Sequence, residues 1–222
     1  MSSINIYEDG IGFVELVDHM GNDSTIVRAA RVSYGKEVQE FTDKDAKLIK
    51  YLYDNQHFSC FEHCVMTFRF KVPLFVRSQH HRHRTWAYNE ISRRYTDENL
   101  QFYFPRDNWR VQSKSSKQAS ESKKYSEEEL DKFVALCFRH CSDSVDLYQD
   151  LLDRGLPKEQ ARMILPQNLY TSYYGTVNLR NAISFLKLRL HPHAQYEIRV
   201  VAEAMKTIMS ELYPETMKLV NF

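Results

Sequence analysis

Apolar and polar residues alternate most clearly between residues 64 and 72. Every second residue there is apolar, and this apolar set is Cys64, Met66, Phe68, Phe70 and Val72. Because consecutive side chains of a strand point to opposite faces, the pattern predicts a β-strand with one buried face. Pro73 ends that strand and is suited to opening a helix that runs toward Arg84. Further strands are predicted at residues 12–18, 101–104 and 168–177.

Helical spacing of apolar residues, together with residues that favour helix ends, predicts six more helices. They run from residue 23 or 24 to about 33, from 42 through 52, from 126 to 155, from 157 to 163, from 178 to about 190, and from about 193 to 212. Thr42 and Asn178 are suitable N-cap residues, and Ser126 forms a capping box with Glu129. Gly155 is expected to stop the longest helix.

The order of these elements predicts an α+β fold, in which a small, mainly antiparallel sheet is packed with long helices. Neither an internal repeat nor a change in composition divides the chain, so we expect a single domain over residues 1–222. Residues 113–124 are rich in Ser and Lys and contain one apolar residue, Ala119. We predict a mobile surface loop for them.

Composition narrows the range of partners. Hydrophobic residues make up 43% of the chain, charged residues 27%, and the formal net charge is +1. A globular protein with so little net charge has no overall field that draws it to nucleic acid or to a membrane surface. The four cysteines suit free thiols in a reducing compartment. No stretch approaches the roughly 20 apolar residues of a membrane helix. We therefore expect a cytoplasmic protein.

A dense arginine cluster is the clearest sign of function. Residues 82–95 contain Arg82, Arg84, Arg93 and Arg94, interleaved with histidine, carboxylate, amide and three aromatic rings. The planar guanidinium group binds phosphate through two hydrogen bonds, and arginine is costly to bury without a partner. The cluster therefore predicts a site for a phosphorylated ligand with a flat ring. The alternative is an ion-pair network at a subunit edge.

Two other classes of protein remain open from the residues alone. A zinc protein would draw on the thiols and imidazoles of Cys60, His63, Cys64, Cys137, His140 and Cys141. Buried core thiols explain these cysteines more simply, so we expect no metal site. Basic residues interleaved with aromatics also occur in proteins that bind single-stranded nucleic acid. The low net charge and the lack of a basic stripe argue against that function.

The spacing within the arginine cluster resembles a known signature. Arg82-His83-Arg84, followed after seven residues by Ser92, is similar to the motif of the flavin-dependent thymidylate synthases. Gln79 and the segment 89–95 belong to the same pattern. Further blocks follow the order of that family at residues 27–33, 57–63, 162–166, 168–171, 178–180, 188–189 and 193–195.

The resemblance implies a reaction and its cofactors. It implies reductive methylation of dUMP to dTMP, with methylenetetrahydrofolate as the carbon donor and NADPH-reduced FAD as the hydride source. No enzyme cysteine acts as a nucleophile in that family, so the protein's task is binding, orientation and charge stabilisation. The resemblance also implies a homotetramer in which each site draws residues from several subunits.

The same resemblance assigns residues to these tasks. Arg189 is implied as the catalytic residue that stabilises the uracil ring as it gains electron density. The dUMP set comprises Gln79, Arg82, Glu90, Ser92, Arg93, Arg94, Arg162 and Arg189. The FAD set comprises Ser59, Arg82, His83, Arg84, Glu90, Asn178, Arg180 and Ser184, with His57 as a contact of the flavin or folate ring. The chain departs from the family pattern at His80, His81, Thr85, Ala87, Arg93 and Ser184.

Overall fold

The protein is described by a computed structural model that covers residues 2–35, 40–97, 99–106, 108–114 and 119–221. Within these ranges the strands are β1 (Ser3–Asn5), β2 (Phe13–Met20), β3 (Val65–Pro73), β4 (Ala87–Glu90), β5 (Arg110–Gln112), β6 (Ser120–Ser122) and β7 (Tyr170–Asn178). The larger sheet has the order β1-β2-β3-β7-β4, and all its neighbours are antiparallel. β5 and β6 form a separate hairpin.

Helices pack against the larger sheet. They are α1 (Asp23–Arg31), α2 (Asp43–Asp54), α3 (Leu74–His80), α4 (Glu127–Asp153), α5 (Lys158–Ala161), α6 (Leu179–Arg189), α7 (Tyr196–Leu212) and α8 (Pro214–Leu219). Short 3-10 helices lie at Val32–Tyr34, Phe58–His63 and Arg162–Ile164. An antiparallel sheet packed with long helices is the α+β fold that the sequence predicts, and that prediction is confirmed.

The main core forms around β3, as its alternating pattern predicts. Met66, Phe68, Phe70 and Val72 are fully buried. The sheet-facing side of α7 adds its own buried apolar residues to this core, namely Ile198, Val201, Ala202, Met205, Ile208 and Met209. Each large apolar side chain removed from water contributes on the order of 2 kcal/mol, so this layer supplies much of the driving force for folding.

The predicted helix starts are confirmed in detail. Asn178 caps α6, since its Oδ1 accepts a hydrogen bond of 2.9 Å from the backbone N–H of Asn181. Ser126 caps α4 through its Oγ, and Glu129 bonds back to the backbone N–H of Ser126 at 2.9 Å. Gly155 follows α4 in the left-handed region, with φ of +87°. These caps satisfy backbone groups that would otherwise lack partners at the helix ends.

Several sequence predictions are wrong in their bounds. The helix after Pro73 ends at His80 rather than near Arg84, because the chain turns there and Trp86 packs 4.5 Å from the His80 ring. Residues 87–90, expected in a loop, form β4 because they pair with β7. Residues 101–104 form no strand and make a single bridge, between Phe102 and Leu169.

The ends of the chain and the Ser/Lys-rich segment also differ from expectation. β1 and α8 were not predicted, and the last long helix begins at Tyr196 rather than near residue 193. Residues 120–122 form β6 in a hairpin with β5, instead of part of a mobile loop. Residues 115–118 of that predicted loop lie outside the described part of the chain. Short strands such as these are stabilised by pairing with a distant segment, which local sequence does not reveal.

Helix α4 buries few of its side chains. Cys141, Ser144 and Tyr148 are its buried residues, whereas Leu136 and Phe138 are 62% and 63% exposed. The helical spacing of apolar residues correctly indicated the helix, but much of that apolar surface lies on the outside of the subunit. Exposed large apolar side chains on one helix are typical of a surface that meets another protein.

Asp23 ties the C-terminal helix to the core. Its Oδ2 accepts from the backbone N–H of Glu215 at 2.8 Å, and its Oδ1 accepts from the N–H and hydroxyl of Thr216 at 3.1 and 2.6 Å. Asp23 and Thr216 are both buried. Loss of this carboxylate would leave buried donors without partners.

We expect Asp23→Ala to lower the free energy of unfolding by about 2–4 kcal/mol, since it leaves two backbone N–H groups and a hydroxyl unsatisfied. Urea denaturation followed by circular dichroism would measure this. Asp18→Ala, which removes an exposed carboxylate from the end of β2, is the matched control and should change stability little. Equal stability of the two variants would contradict the assigned role of Asp23.

Candidate active site

A polar cavity of about 600 Å³ lies where β4 and β7 meet α5. Its lining comprises Leu74, Arg77, Glu90, Ile91, Ser92, Arg93, Glu159, Arg162, Met163, Leu165, Gln167, Leu169, Tyr170 and Thr171. Four residues of the predicted dUMP set are therefore brought together: Glu90, Ser92, Arg93 and Arg162. The guanidinium groups come from separate segments, so the concentration of positive charge here is a product of the fold.

Glu90 is held in place at the inner side of this cavity. Thr171 Oγ1 donates a hydrogen bond of 2.7 Å to Glu90 Oε1, and Arg77 Nε lies 3.2 Å from the same oxygen. These partners come from β7 and α3. The carboxylate is therefore oriented by the fold before any ligand arrives, which lowers the entropic cost of binding.

The turn after β4 positions the next predicted residues. Ile91 N–H donates to the Ser172 carbonyl at 2.9 Å, which continues the pairing of β4 with β7. The Ser92 carbonyl then accepts from Tyr95 N–H at 3.0 Å, which closes a tight turn. Burial lowers the pKa of Arg93 from its ordinary value. Arginine nevertheless remains charged in proteins, so Arg93 contributes a partly desolvated cation.

Arg94 lies on the outer rim of the same cavity. Its Nη2 forms a 3.1 Å ion pair with Oε2 of Glu159, which lines the cavity. Both side chains are about half exposed. An ion pair so open to solvent contributes little to stability. Breaking it costs little free energy, so Arg94 can bind a phosphate group instead of Glu159.

Arg189 and His83 form a second part of the predicted site. Arg189, the last residue of α6, donates from Nε to His83 Nε2 at 3.1 Å. Burial, and then the positive charge of Arg189, lower the pKa of His83 to about 4. His83 is therefore neutral at pH 7 and can accept the hydrogen bond. Burial also lowers the pKa of Arg189. Arg189 is not part of the cavity lining described above.

Half of the predicted FAD set, namely Ser59, Asn178, Arg180 and Ser184, lies around the first half of α6. Arg180 forms a 2.5 Å ion pair with Glu62, on the 3-10 helix that also carries Ser59. Ser184 donates to the carbonyl of Arg180 at 3.1 Å, one turn back along α6. Asn178 caps this helix. His57 precedes the 3-10 helix and is exposed, and its ring lies edge-on to Tyr51 at 6.1 Å.

The other predicted residues lie at and after the end of α3: Gln79, Arg82 and Arg84. Gln79 Nε2 donates to Gln195 Oε1. Arg82 and Arg84 are exposed, and neither forms an ion pair with a residue that the structure describes. Exposed guanidinium groups without carboxylate partners suit a polyanionic ligand, because no existing ion pair must be broken.

Some polar partners of the site were not assigned to it from the sequence. Arg77 and Thr171 orient Glu90, while Glu197 accepts a hydrogen bond from Gln195 at 2.9 Å. Thr171 and Gln195 each belong to a block that resembles the family, and Arg77 lies just upstream of the arginine cluster, so these were the available signals. Glu197 carries no local signature, since its partner Arg110 is distant in the chain.

The cysteines do not form a metal centre in the described structure. Burial raises the pKa of Cys64 to about 12, which keeps it a neutral thiol at pH 7. Cys64 and Cys141 are buried, as predicted, whereas Cys60 and Cys137 are only partly so. Among the described residues, no three His, Cys, Asp or Glu side chains are grouped so as to hold a metal ion. No helix in those ranges is long and apolar enough to cross a membrane.

The low pKa of His83 predicts a pH dependence of stability. An unfolded histidine titrates near pH 6.5, so between about pH 4 and 6.5 the unfolded chain binds more protons than the folded protein. Folding stability therefore falls as the pH drops through this window. We expect His83→Gln to make the fall in Tm shallower, while the buried His80, whose pKa is also lowered, preserves part of it.

Calorimetry of the ligand-free protein across this pH range would measure the effect. His19→Gln, which replaces an exposed histidine of β2, is the control and should retain the slope of the parent protein. A His83→Gln slope as steep as that of the control would show that His83 is not held neutral.

Comparisons with known proteins identify the family of this chain. The family model "Thymidylate synthase complementing protein" matches residues 15–215. The flavin-dependent thymidylate synthase of Thermus thermophilus is 47% identical over 203 residues, which are 91% of this chain and 73% of that relative. The enzyme of the same name from Thermotoga neapolitana is 42% identical over 205 residues, covering 92% and 88% of the two chains.

Solved structures give the same result. The UMP/dUMP methylase PolB from Streptomyces cacaoi, bound with 5-Br dUMP, matches with a TM-score of 0.84 and 35% identity, and 93% of each chain is covered. The family match and the sequence identities together confirm the resemblance seen in the arginine cluster. The chain belongs to the flavin-dependent thymidylate synthase family.

Proposed function

We propose that this protein converts dUMP to dTMP by reductive methylation. The observation that carries the proposal is the 600 Å³ cavity in which Glu90, Ser92, Arg93 and Arg162 converge. Its volume lies within the range of small-molecule sites, and its paired cations suit a phosphate group. The structural relative PolB, a UMP/dUMP methylase solved with 5-Br dUMP, supports the same substrate class.

The dUMP site comprises Gln79, Arg82, Glu90, Ser92, Arg93, Arg94, Arg162 and Arg189. The guanidinium groups bind the phosphate bidentately, and the Ser92 hydroxyl and turn amides add neutral donors. Arg93 stands where the family commonly has glycine. Its partly buried side chain lines the cavity, so it adds positive charge to the phosphate end of the site.

The FAD site comprises Ser59, Arg82, His83, Arg84, Glu90, Asn178, Arg180 and Ser184, with His57 against the flavin or folate ring. The exposed guanidinium groups of Arg82 and Arg84 fit the pyrophosphate of this cofactor. When bound, reduced FAD supplies hydride chemistry, with NADPH as its reductant and methylenetetrahydrofolate as the carbon donor.

Arg189 is the proposed catalytic residue. It uses Nε to bond His83, and within the described structure this is its one side-chain hydrogen bond, so both Nη groups remain free for the uracil ring. A fixed, partly buried guanidinium stabilises negative charge that develops on the ring without having to reorganise. A cysteine nucleophile is not required, and none of the residues that line the cavity is a cysteine.

The active form is proposed to be a homotetramer with shared sites. Within one subunit, Arg162 lies near the beginning of β7, whereas Asn178 and Arg180 lie at and beyond its end. Exposed apolar residues on several elements, including Leu136, Phe138, Met163 and Leu188, offer surfaces for association. The proposal treats residues 1–222 as one catalytic domain, and it places the enzyme in the cytoplasm, where the four free thiols stay reduced.

An absorbance spectrum of the purified protein, before and after addition of FAD and then dUMP, tests the proposal. We expect flavin bands that are near stoichiometric and that shift when dUMP is added, because both ligands share one site. A protein that takes up no FAD would overturn the flavin assignment. The substrate assignment would be overturned if dUMP changed neither the spectrum of bound FAD nor the reactivity of the reduced FAD.

Arg189→Ala tests the catalytic assignment. We expect FAD to be retained and dTMP formation to fall by at least about a hundredfold, since removal of one preorganised charge-stabilising donor typically costs this much. Arg154→Ala is the matched control, because Arg154 is an exposed cation at the end of α4 that pairs with Asp150. Turnover of Arg189→Ala at the level of that control would refute the role of Arg189.

A further inference from the structure

A buried carboxylate lies behind the arginine cluster. Glu197, in the first turn of α7, is 3% exposed. Arg110 Nη2 donates to both of its oxygens, at 2.7 and 2.9 Å, and the Tyr103 hydroxyl lies 3.3 Å from Oε1. Gln195 Nε2 donates to Oε2 at 2.9 Å. A buried charge with this many donors is well satisfied, so its orientation is strongly defined.

This carboxylate determines which way two glutamine side chains face. An ionised carboxylate only accepts hydrogen bonds, so Gln195 must turn its NH₂ group toward Glu197. The Gln195 carbonyl oxygen then faces Gln79, which donates from Nε2. Gln79 must in turn point its own carbonyl oxygen away from Gln195. The orientation follows from the acceptor-only chemistry of Glu197 and does not depend on distinguishing N from O in either amide.

Arg110 anchors this arrangement in the β5–β6 hairpin. Its Nε donates to Ser120 Oγ at 2.9 Å, and its Nη1 donates to the Asn108 carbonyl at 3.3 Å. The guanidinium is thereby fixed by the hairpin on one side and by Glu197 on the other. We call the series Arg110, Glu197, Gln195 and Gln79 the amide relay.

The carbonyl oxygen of Gln79 is the free end of the amide relay. Gln79 is partly buried, and its Oε1 has no hydrogen-bond donor within the described portion of the chain. The side chain belongs to the predicted dUMP set and lies three residues before Arg82. We propose that the relay presents Gln79 Oε1 as a dedicated acceptor for an N–H or O–H donor of the nucleotide.

This inference rests on the proposed function, which places Gln79 in the dUMP site. Apart from its phosphate, dUMP offers two such donors, the N3–H of uracil and the 3′-hydroxyl of deoxyribose. In the absence of the relay a carboxamide can turn over and present NH₂ instead. The NH₂ group cannot accept from the N3–H of uracil, and it can use the 3′-hydroxyl only as an acceptor. Gln195 and Glu197 are therefore positioning residues that act through Gln79 and need not touch the substrate.

Two variants test whether the affinity for dUMP depends on the donor-to-acceptor direction of the hydrogen bonds in the relay or only on packing. Glu197→Gln keeps the shape but removes the acceptor-only group, so Gln195 and Gln79 are free to turn. We expect the Kd of dUMP for the FAD-loaded protein to rise about fivefold, the effect of one lost hydrogen bond. The double variant Gln195→Glu/Glu197→Gln places the acceptor-only group next to Gln79 and should restore most of the affinity.

Tyr7→Phe provides the matched control. The Tyr7 hydroxyl donates to the backbone carbonyl of Glu197 at 2.8 Å, so its loss removes a buried hydrogen bond to the same residue without altering the relay. We expect a lower Tm and an unchanged Kd for dUMP. If the Kd rose as much for this variant as for Glu197→Gln, a general loss of packing would explain both effects. That result would overturn the proposal.

Nucleotide analogues identify the donor. We would measure the Kd of N3-methyl-dUMP and of 2′,3′-dideoxyuridine monophosphate for the parent protein and for Glu197→Gln. Compared with dUMP, the analogue that lacks the relevant donor should bind the parent protein more weakly. For Glu197→Gln, the difference between dUMP and that analogue should be much smaller. Steric clash would weaken an analogue equally in both proteins. Equal losses for both analogues in both proteins would refute the relay.

Failure of the relay and failure of the proposed function give different results. If the parent protein forms dTMP but Glu197→Gln binds dUMP normally, the relay is wrong and the enzyme assignment stands. If the FAD-loaded parent protein neither binds dUMP nor forms dTMP, the proposed function fails, and the relay with it.

Discussion

The antiparallel pairing of β3 with β7 is the constraint on which the rest of the structure depends. It runs without interruption from Val65 opposite Asn178 to Pro73 opposite Tyr170. The apolar face of β3 is buried in the core, and β7 lies beside β3 because the two strands share backbone hydrogen bonds. Both ends of β7 carry site elements, since Thr171 bonds Glu90 at one end and Asn178 caps α6 at the other. Eight residue steps at about 3.4 Å separate these ends by roughly 27 Å.

That separation explains the division of the predicted residues into groups. The cavity with Arg93 and Arg162 lies near the start of β7, while Arg180 follows its far end. Helix α6 then runs back along the sheet, which brings Arg189 at its last turn to His83. Within one subunit these two groups of predicted residues therefore lie at opposite ends of β7. The exposed apolar residues of α4 are available for contacts with another protein.

Hydrogen bonds to partly buried neighbours orient the charged side chains of the predicted site. Arg189 donates to an uncharged His83, and Arg77 and Thr171 hold the Glu90 carboxylate. Glu90 and Arg189 are thus each oriented by polar neighbours of the same subunit. The same logic connects Glu197 to Gln79 through Gln195. Preorganised polar groups of this kind serve binding and charge stabilisation better than flexible surface cations.

The sequence by itself determined the features that rest on local physics. The alternation of β3, the caps at Ser126 and Asn178 and the spacing of Arg82, His83, Arg84 and Ser92 each lie within a few residues, so strand, helix starts and family signature were all readable. Tertiary structure alone decided β4, the β5–β6 hairpin and the buried pair of Glu197 and Arg110. These depend on partners that lie far apart in the chain, such as Ala87 opposite Thr176 and Arg110 beside Glu197. Local propensity is weak for such segments, and the hydrogen bonds that stabilise them exist only after the core has formed.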